Sequence, residues 1–498
     1  MTSTDDLTDD IPDPASGAGS SPAPLVLVLH GARGDLSRRL VLPALATLQR
    51  RGLLPERWAL LGTGRNDQTD DEFATLIQEA IKEFGDEDDG GDIDQDAADA
   101  ADAVVRHSRW AREVTEEDAG NLPELLAELC ELVAGDDHAP QDVDVVHYLA
   151  VPPTAFIPLT RALDAHDLTD GVRIVYEKPY GTSPESFREL DGVVHEVFDE
   201  KQVFRIDHFL GKEAVQNLHV LRFANELFGS IWDRHHVTQV QIDVPETLDV
   251  DQRAEFYDET GAALDMLVTH LFQVAAQVAM EPPRALAADD LARVREEVIG
   301  CFRPLEADDV VLGQFEGYRD IEGVADDSTT DTFVAARLWI DNERWRGVPF
   351  LLRTGKRMAA SAQRVSLVLR RDPVEIFGDG VAPGCVSLSL AGDGSIEVTA
   401  NVKRPGPDLA LATGTARLDL GDVETGDTLP AYASLLHDVL VGDRTLFTTP
   451  RGLADAWAAF EPLLGPARPE PLPYAPGSWG PAEADALAAP AGWVLGRS

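Results

Sequence analysis

Short apolar runs alternate with stretches of helical periodicity between Leu25 and Ile206. The runs are continuous and rich in strand-forming residues, as is typical of strands buried on both faces of a parallel sheet. They are LVLVL (25–29), WALLG (58–62), VDVVHYLAV (143–151) and VRIVYE (172–177). The helical periods lie at 37–51, 70–82, 119–134, 154–165 and 183–200. This alternation predicts a doubly wound α/β domain over residues 23–205.

Beyond residue 206, apolar and polar residues alternate in runs that follow one another with turns. The runs are VTQVQIDV (237–244), TFVAARLWI (332–340), RVSLVLRR (364–371), CVSLSLAG (385–392) and SIEVTANVK (395–403). A period of two is typical of antiparallel strands with one covered face. We therefore expect residues 206–498 to form an α+β domain with a large, mainly antiparallel sheet.

The chain has 498 residues and a formal net charge of −46, yet its hydrophobic content of 44% is ordinary for a globular protein. Residues 1–22 are expected to form a disordered acidic tail, and the acidic stretch 83–103 a solvated loop. A field this negative repels phosphate backbones and anionic lipids. Neither nucleic acid nor a membrane is therefore an expected partner.

Three widely separated cysteines, Cys130, Cys301 and Cys385, argue against a disulfide framework and against a cysteine metal site. No signal peptide or membrane-spanning run is evident, so we expect a cytoplasmic protein. We also expect no bound metal. Only six of the 42 cationic residues are lysines. Adaptation to concentrated salt and codon bias both explain such an acidic, lysine-poor composition.

The first apolar run leads into the turn His30-Gly31-Ala32-Arg33-Gly34-Asp35-Leu36-Ser37, and a helical stretch follows. A glycine turn at this position lets the backbone approach a pyrophosphate, and the helix start supplies N–H groups. We therefore predict a Rossmann-like dinucleotide site that includes Gly31, Gly34, Asp35 and Leu36.

The end of the second run, Leu61-Gly62-Thr63-Gly64-Arg65, indicates which dinucleotide binds. A carboxylate here would accept hydrogen bonds from an NAD ribose, whereas arginine presents a planar fork that suits a 2′-phosphate. Arg65 therefore favours NADP. Asp67 nearby keeps NAD open as a weaker alternative.

Three of the six lysines lie in compact strand-end or turn motifs. The motifs are EKPYG with Lys178, RIDHFLGKE with Lys212 and RTGKR with Lys356. A compact ammonium group in such a position can meet a phosphate. In a chain this acidic, the three motifs predict a local cationic pocket.

These segments together resemble the glucose-6-phosphate dehydrogenase family over residues 24–481. The matching segments include GARGDL (31–36), YLAVPP (148–153), EKPYG (177–181), RIDHFLGKE (205–213), MEPP (280–283), RTGK (353–356), KRPG (403–406) and GSWGP (477–481). The resemblance implies an oxidoreductase that opens the oxidative pentose phosphate pathway, oxidising glucose 6-phosphate to 6-phosphoglucono-δ-lactone with NADP. It also implies a homodimer or homotetramer, with substrate binding and oligomer contacts in the second domain.

The resemblance also implies roles for single residues. His270 would be the general base that takes the proton of the C1 hydroxyl, and Asp207 would orient it. The substrate would be held by His208 and Lys212 at its phosphate, by Glu246 and Asp265 at its hydroxyls, and by Lys356, with Lys178 between sugar and cofactor. Asp265 and His270 are five residues apart, roughly 140° around an α-helix, so we expect that they can reach a cleft that crosses the helix but do not stack.

Four positions depart from the family's pattern. Phe209 replaces a tyrosine, Val268-Thr269 replaces a Gln-Asn pair, Ser361 replaces a second basic residue, and Arg33 puts a large cation in the cofactor turn. Two lost phosphate contacts predict weaker substrate binding or a different sugar phosphate. A paralogous dehydrogenase for another sugar or sugar phosphate, and a catalytically silent metabolite-binding protein, therefore stay open as alternatives.

Overall fold

The computed structural model describes residues 23–85, 95–250, 253–371, 376–377, 381–391, 394–419 and 428–496. The predicted tail at 1–22 lies outside these residues. The chain divides into two compact units, of which the first runs to Tyr148 and includes Asp170–Arg173. The second unit holds Leu149–Thr169 and Ile174–Ser498. The predicted domain boundary at residue 205 stays a prediction.

The predicted parallel sheet is present and has six strands. They are β1 (Leu25–His30), β2 (Trp58–Gly64), β3 (Ser108–Arg112), β4 (Asp144–Leu149), β5 (Arg173–Tyr176) and β6 (Val203–Arg205). Their order is β3-β2-β1-β4-β5-β6, which is the strand order of the Rossmann fold. β1 is buried along its whole length, as its continuous apolar run predicts. The α/β fold class is thereby confirmed.

Six helices accompany these strands. They are α1 (Leu42–Arg50), α2 (Asp70–Phe84), α3 (Gln95–Arg106), α4 (Leu122–Ala134), α5 (Phe156–Ala165) and α6 (Pro184–Val197). The acidic stretch 83–103 is predicted to be a solvated loop or insertion, and its residues 86–94 lie outside the described residues. Helix α3 covers the stretch from Gln95 on, so a loop is wrong there. The reason is that Ala100, Ala103 and Val104 are buried along one face, while the acidic residues occupy the rest of the helix.

Among the described residues, the second sheet has nine strands and is mixed. Six of them are β7 (Val237–Pro245), β8 (Val310–Phe315), β9 (Phe333–Leu338), β10 (Phe350–Gly355), β11 (Arg364–Leu369) and β12 (Cys385–Ser389). The other three are β13 (Ile396–Lys403), β14 (Leu411–Leu418) and β15 (Leu472–Tyr474). Their order is β14-β13-β12-β11-β7-β10-β9-β8-β15, and the pairs β7/β10 and β8/β15 are parallel. The mainly antiparallel sheet is confirmed.

The helices of this part of the chain are α7 (Glu213–Phe223), α8 (Glu226–Gly229), α9 (Ala254–Ala262), α10 (Phe272–Ala279), α11 (Ala288–Ile299), α12 (Ala431–Val441), α13 (Pro450–Phe460) and α14 (Ala484–Leu487). The helical run Ala254–Ala279 is long and apolar enough to cross a membrane. However, 83% of its most apolar window is buried inside the protein, as is expected of a core helix.

Strand β7 is covered on both faces, whereas its alternation predicts one covered face. Its polar residues lie beneath the end of the chain: the amide groups of Gln239 and Gln241 donate to the carbonyl of Gly492, and the Val494 N–H donates to Gln241 at 2.7 Å. The polar positions of the strand are therefore satisfied by a chain segment rather than by water.

Candidate active site

The glycine turn of the first unit has the geometry that its sequence predicts. Gly31 has a φ of +73°, a conformation that favours glycine. Its carbonyl accepts hydrogen bonds from the Gly34 amide at 2.8 Å and the Ser37 hydroxyl at 3.0 Å. Leu36 already has helical dihedral angles, and Asp35 is exposed. The turn thus opens directly into a helix start, whose N–H groups fit a dinucleotide pyrophosphate.

Arg65 directly follows β2, which pairs in parallel with β1, so it lies at the same sheet edge as the glycine turn. Its side chain is exposed. Burial raises the pKa of the Glu113 carboxyl group, and the positive charge of Arg65 opposes that rise. An exposed guanidinium group at this edge can contact an anionic group on a dinucleotide ribose.

His270 and Asp207 form a buried hydrogen-bonded pair in the second unit. Their residues are 0% and 3% exposed, and Nδ1 of His270 donates to Oδ1 of Asp207 at 2.6 Å. The Phe209 N–H donates to the same oxygen at 3.0 Å. This arrangement keeps a proton on Nδ1 of the imidazole, so that Nε2 is the nitrogen that accepts a further proton.

Burial controls the protonation of this pair. It raises the pKa of Asp207 to about 6, and the neighbouring His208, the Phe209 N–H and the positive charges of Lys178 and Lys212 oppose the rise. Burial and the neighbouring Lys178 lower the pKa of His270. The pair therefore consists of a neutral imidazole and a carboxylate at pH 7, which is the state that a general base requires.

His270 lies in a π-helical segment, Ala263–Leu271, between α9 and α10. The hydrogen bonds of a π-helix span five residues, so side chains five apart lie on one face. The Lys178 ammonium group contacts both Asp265, at 3.3 Å from Oδ1, and His270, at 2.8 Å from Nε2. Asp265 and His270 therefore reach one cation, as their five-residue spacing allows, although the segment is π-helical rather than α-helical.

His208 and Lys212 lie beside the same imidazole. The ring centroids of His208 and His270 are 4.6 Å apart. The Lys212 ammonium lies 3.9 Å from the ring centroid of Phe209, which stacks on His270 at 4.7 Å. Burial lowers the pKa of Lys212 to about 8, and two nearby carboxylates oppose this shift. At pH 7 most of the Lys212 side chains are thus charged and able to bind an anion.

Glu246 and Lys356 meet because β7 and β10 pair in parallel and end side by side. Their carboxylate and ammonium groups form an ion pair. Burial raises the pKa of Tyr257, and the charges of Asp265 and Glu246 raise it further. The Lys356 ammonium lies 5.6 Å from the centroid of the Tyr257 ring, so this ring lies next to the ion pair.

The predicted site residues thus form one group in each unit. The second unit brings together Lys178, Asp207, His208, Lys212, Glu246, Asp265, His270 and Lys356. The first unit holds Gly31, Gly34, Asp35, Leu36 and Arg65. Their individual roles stay predictions.

Asp207, His208 and His270 each place one ligand atom within 4.8 Å of the others, a set that can hold a metal ion. The charges of Lys178 and Lys212 act on the same carboxylate, Asp207, and would repel a metal cation. The predicted lack of a metal stays a prediction.

Two residues of this cluster escaped the sequence analysis. The Oε1 atom of Gln363 accepts a hydrogen bond from the Lys212 ammonium. The Tyr432 hydroxyl donates to Glu177 at 3.5 Å, and its ring stacks with His208 at 6.1 Å. No motif or spacing marks either residue, because both come from chain segments remote from the residues that they contact.

Two of the side chains that depart from the family pattern make local hydrogen bonds. The Ser361 hydroxyl accepts from the Thr247 N–H at 2.9 Å, and the Thr269 hydroxyl donates to the Asp265 carbonyl at 2.5 Å. Arg33 is exposed on the glycine turn. Two of these side chains therefore fix the backbone next to predicted substrate ligands.

A sheet in the Rossmann strand order, a glycine turn after its first strand and a buried histidine–aspartate pair together define a dehydrogenase that uses a nicotinamide dinucleotide. The model of the glucose-6-phosphate dehydrogenase NAD binding domain matches residues 28–217, and that of the glucose-6-phosphate dehydrogenase C-terminal domain matches residues 219–494. The chain belongs to the glucose-6-phosphate dehydrogenase family, which confirms the resemblance.

Curated relatives and solved structures agree with this assignment. Glucose-6-phosphate 1-dehydrogenase of Aggregatibacter actinomycetemcomitans is 33% identical over 95% of this chain and 97% of its own length. The structure of the Mycobacterium avium enzyme superposes with a TM-score of 0.82 at 32% identity, over 96% of this chain and 100% of that one. A glucose-6-phosphate dehydrogenase in complex with its substrate gives 0.85 at 29% identity and the same coverage.

Proposed function

We propose that this chain oxidises glucose 6-phosphate at C1 to 6-phosphoglucono-δ-lactone, with NADP as the acceptor, as the first step of the oxidative pentose phosphate pathway. The observation that carries the proposal is the buried His270–Asp207 pair. Nε2 of His270 faces Lys178 within a cluster of cations and carboxylates. A relative of similar fold was solved with glucose 6-phosphate bound, which supports the choice of substrate.

Nε2 of His270 accepts the proton of the C1 hydroxyl group. Nδ1 stays bonded to Asp207, whose negative charge stabilises the imidazolium that forms. The hydride from C1 passes to the nicotinamide ring, which is the chemistry that the bound dinucleotide supplies. The residues that would hold that dinucleotide are those of the glycine turn, Gly31, Gly34, Asp35 and Leu36, together with Arg65 and Lys178.

Lys178 keeps the general base, His270, unprotonated at Nε2. Its ammonium group donates to Nε2 of His270, which holds that nitrogen unprotonated. The C1 hydroxyl has to replace this donor before it can lose its proton. Asp265 then retains the ammonium group through the ion pair that they already form.

The remaining cluster residues bind the rest of the sugar phosphate. His208 and the Lys212 ammonium offer N–H donors to phosphate oxygens. The carboxylates of Glu246 and Asp265 accept hydrogen bonds from sugar hydroxyls, and Lys356 contacts the substrate beside Glu246. Substrate binding would replace the Lys356–Glu246 ion pair by contacts to the sugar.

Replacing Arg65 by alanine is expected to lower kcat/KM for NADP by roughly tenfold or more, because a hydrogen-bonded charge on the 2′-phosphate is lost. The value for NAD, which lacks that phosphate, should change by less than about threefold. Initial rates with each dinucleotide at saturating glucose 6-phosphate measure both effects.

Arg109→Ala is the matched control, because Arg109 is an exposed arginine of the same unit that pairs with Asp70. It should leave both dinucleotides unaffected. Equal losses with NADP and NAD in Arg65→Ala would refute a 2′-phosphate contact and leave Arg65 as a general cofactor residue.

The assembly and location of the protein belong to the same proposal. The family relationship supports a homodimer or homotetramer, with oligomer contacts in the second domain. A cytoplasmic location is supported by an Arabidopsis thaliana relative that is named as the cytoplasmic form and is 34% identical over 94% of this chain and 92% of its own length.

A further inference from the structure

The Lys212 ammonium group has two close neighbours in the second unit. One is the ring of Phe209, at 3.9 Å from its centroid. The other is the side-chain oxygen Oε1 of Gln363, which accepts a hydrogen bond from Nζ. Gln363 lies 151 residues further along the chain, directly before β11. The tertiary fold, which places the start of helix α7 beside the start of β11, brings the two side chains together rather than any local motif.

The residues around Gln363 are engaged elsewhere. The Ser361 hydroxyl bonds to Thr247 at 2.9 Å, and the Arg364 guanidinium pairs with Glu397. The Gln363 carbonyl accepts from the Leu390 N–H at 2.7 Å, which fixes its backbone. Within this segment, the Gln363 side chain is therefore the one that contacts Lys212.

An amide oxygen is a suitable partner for a lysine that has to bind an anion. A carboxylate in its place would neutralise the ammonium and repel a phosphate dianion. The neutral amide orients Nζ and leaves its full charge available, although burial already lowers the pKa of Lys212 to about 8.

The other end of the amide is a donor. Because Oε1 faces the ammonium, the two N–H groups on Nε2 are directed away from it and are available to a different acceptor. Among the described residues, Nε2 of Gln363 contacts no hydrogen-bond acceptor. The side chain thus presents an unused donor beside the cation that is proposed to hold the phosphate.

We propose that Gln363 is a further phosphate-binding residue, whose Oε1 positions Lys212 and whose Nε2 donates to a phosphate oxygen of the substrate. The inference rests on the proposed function, in which Lys212 binds the 6-phosphate. It explains how the site retains its phosphate contacts although Phe209 lacks a hydroxyl group and Ser361 replaces a basic residue.

Gln363→Ala is expected to raise KM for glucose 6-phosphate roughly tenfold or more, because it removes one bond to a charged group and loosens another. The inhibition constant of inorganic phosphate, measured against glucose 6-phosphate, should rise by a similar factor. The values of kcat and KM for NADP should stay within about twofold. Gln363→Glu should raise both constants further, since it adds a negative charge.

Gln314→Ala is the matched control, because Gln314 is also half-buried and its amide donates only to the carbonyls of Ser328 and Thr330. It should leave both constants unchanged. An unaltered inhibition constant for phosphate in Gln363→Ala, or a loss of kcat and Tm without a change in KM, would overturn the inference.

Lys212→Ala separates this inference from the function on which it rests. If Lys212→Ala weakens phosphate inhibition and Gln363→Ala does not, only the role of Gln363 is wrong. If Lys212→Ala leaves both KM and phosphate inhibition unchanged, the phosphate assignment in the proposed function is itself wrong.

Discussion

Replacing His270 by alanine is expected to lower kcat for glucose 6-phosphate oxidation by roughly a hundredfold or more, because the proton of the C1 hydroxyl loses its acceptor. Substrate binding should change much less, since the phosphate and hydroxyl ligands are other residues. Steady-state rates together with a ligand-induced rise in Tm measure the two effects separately. The expected result is a protein that binds glucose 6-phosphate and hardly turns it over.

Two further variants distinguish a loss of catalysis from a loss of folding. Alanine at position 270 leaves the buried Asp207 carboxylate without its imidazole donor, which costs about 1–3 kcal/mol of stability. His270→Asn restores a donor of similar reach and should recover stability but not turnover. His219→Ala is the matched control, because His219 is a buried histidine of the same unit that bonds to Gln277 at 2.7 Å. Near-normal kcat in His270→Ala would remove His270 as the base.

Asp207→Asn should lower kcat by roughly a thousandfold, since an uncharged amide cannot stabilise the imidazolium. Asparagine can also reverse the hydrogen bond and hold His270 in the wrong tautomer, with the proton on Nε2. If its oxygen keeps the bonds to His270 and Phe209, its NH₂ group replaces Oδ2, a buried atom with no hydrogen-bond partner among the described residues. Both arrangements impair the base, and KM should change by only a small factor.

Asp309→Asn is the control for this variant. Its carboxylate also accepts two hydrogen bonds, from Arg337 at 2.7 Å and from Trp339 at 2.8 Å, but it lies in the β8–β9 region. The control should lose stability and keep kcat. If Asp207→Asn retains wild-type kcat at all pH values, the Asp207 carboxylate neither orients His270 nor stabilises its protonated form.

The fold was predictable because the burial of a strand determines which of its positions are apolar. Strands covered on both faces, such as β1, read as unbroken apolar runs, and the alternating runs mark the second sheet. Strand β3 (SRWAR) gives no such signal, since its buried Trp110 and Ala111 are flanked by exposed arginines. Helix α3 was missed because its many aspartates concealed an alanine-lined buried face.

The site was predictable where its residues lie in short motifs, as Lys178 and Lys212 do. The motifs identify the residues of the site but do not show which of their side chains contact one another. The sequence allowed Asp265 and His270 to reach one cleft, but their five-residue spacing does not show that the segment is π-helical. The contact of Gln363 with Lys212 joins side chains 151 residues apart in sequence, so only the folded chain shows it.

The central claim is that this chain oxidises glucose 6-phosphate with NADP. Following NADPH absorbance with the wild-type protein, in low and in molar salt, tests it most directly. We predict NADPH formation that requires both ligands, with a higher kcat/KM for glucose 6-phosphate than for free glucose or other hexose phosphates. A glucose 6-phosphate-induced rise in Tm without NADPH formation in either salt, or a clear preference for another sugar phosphate, would contradict it.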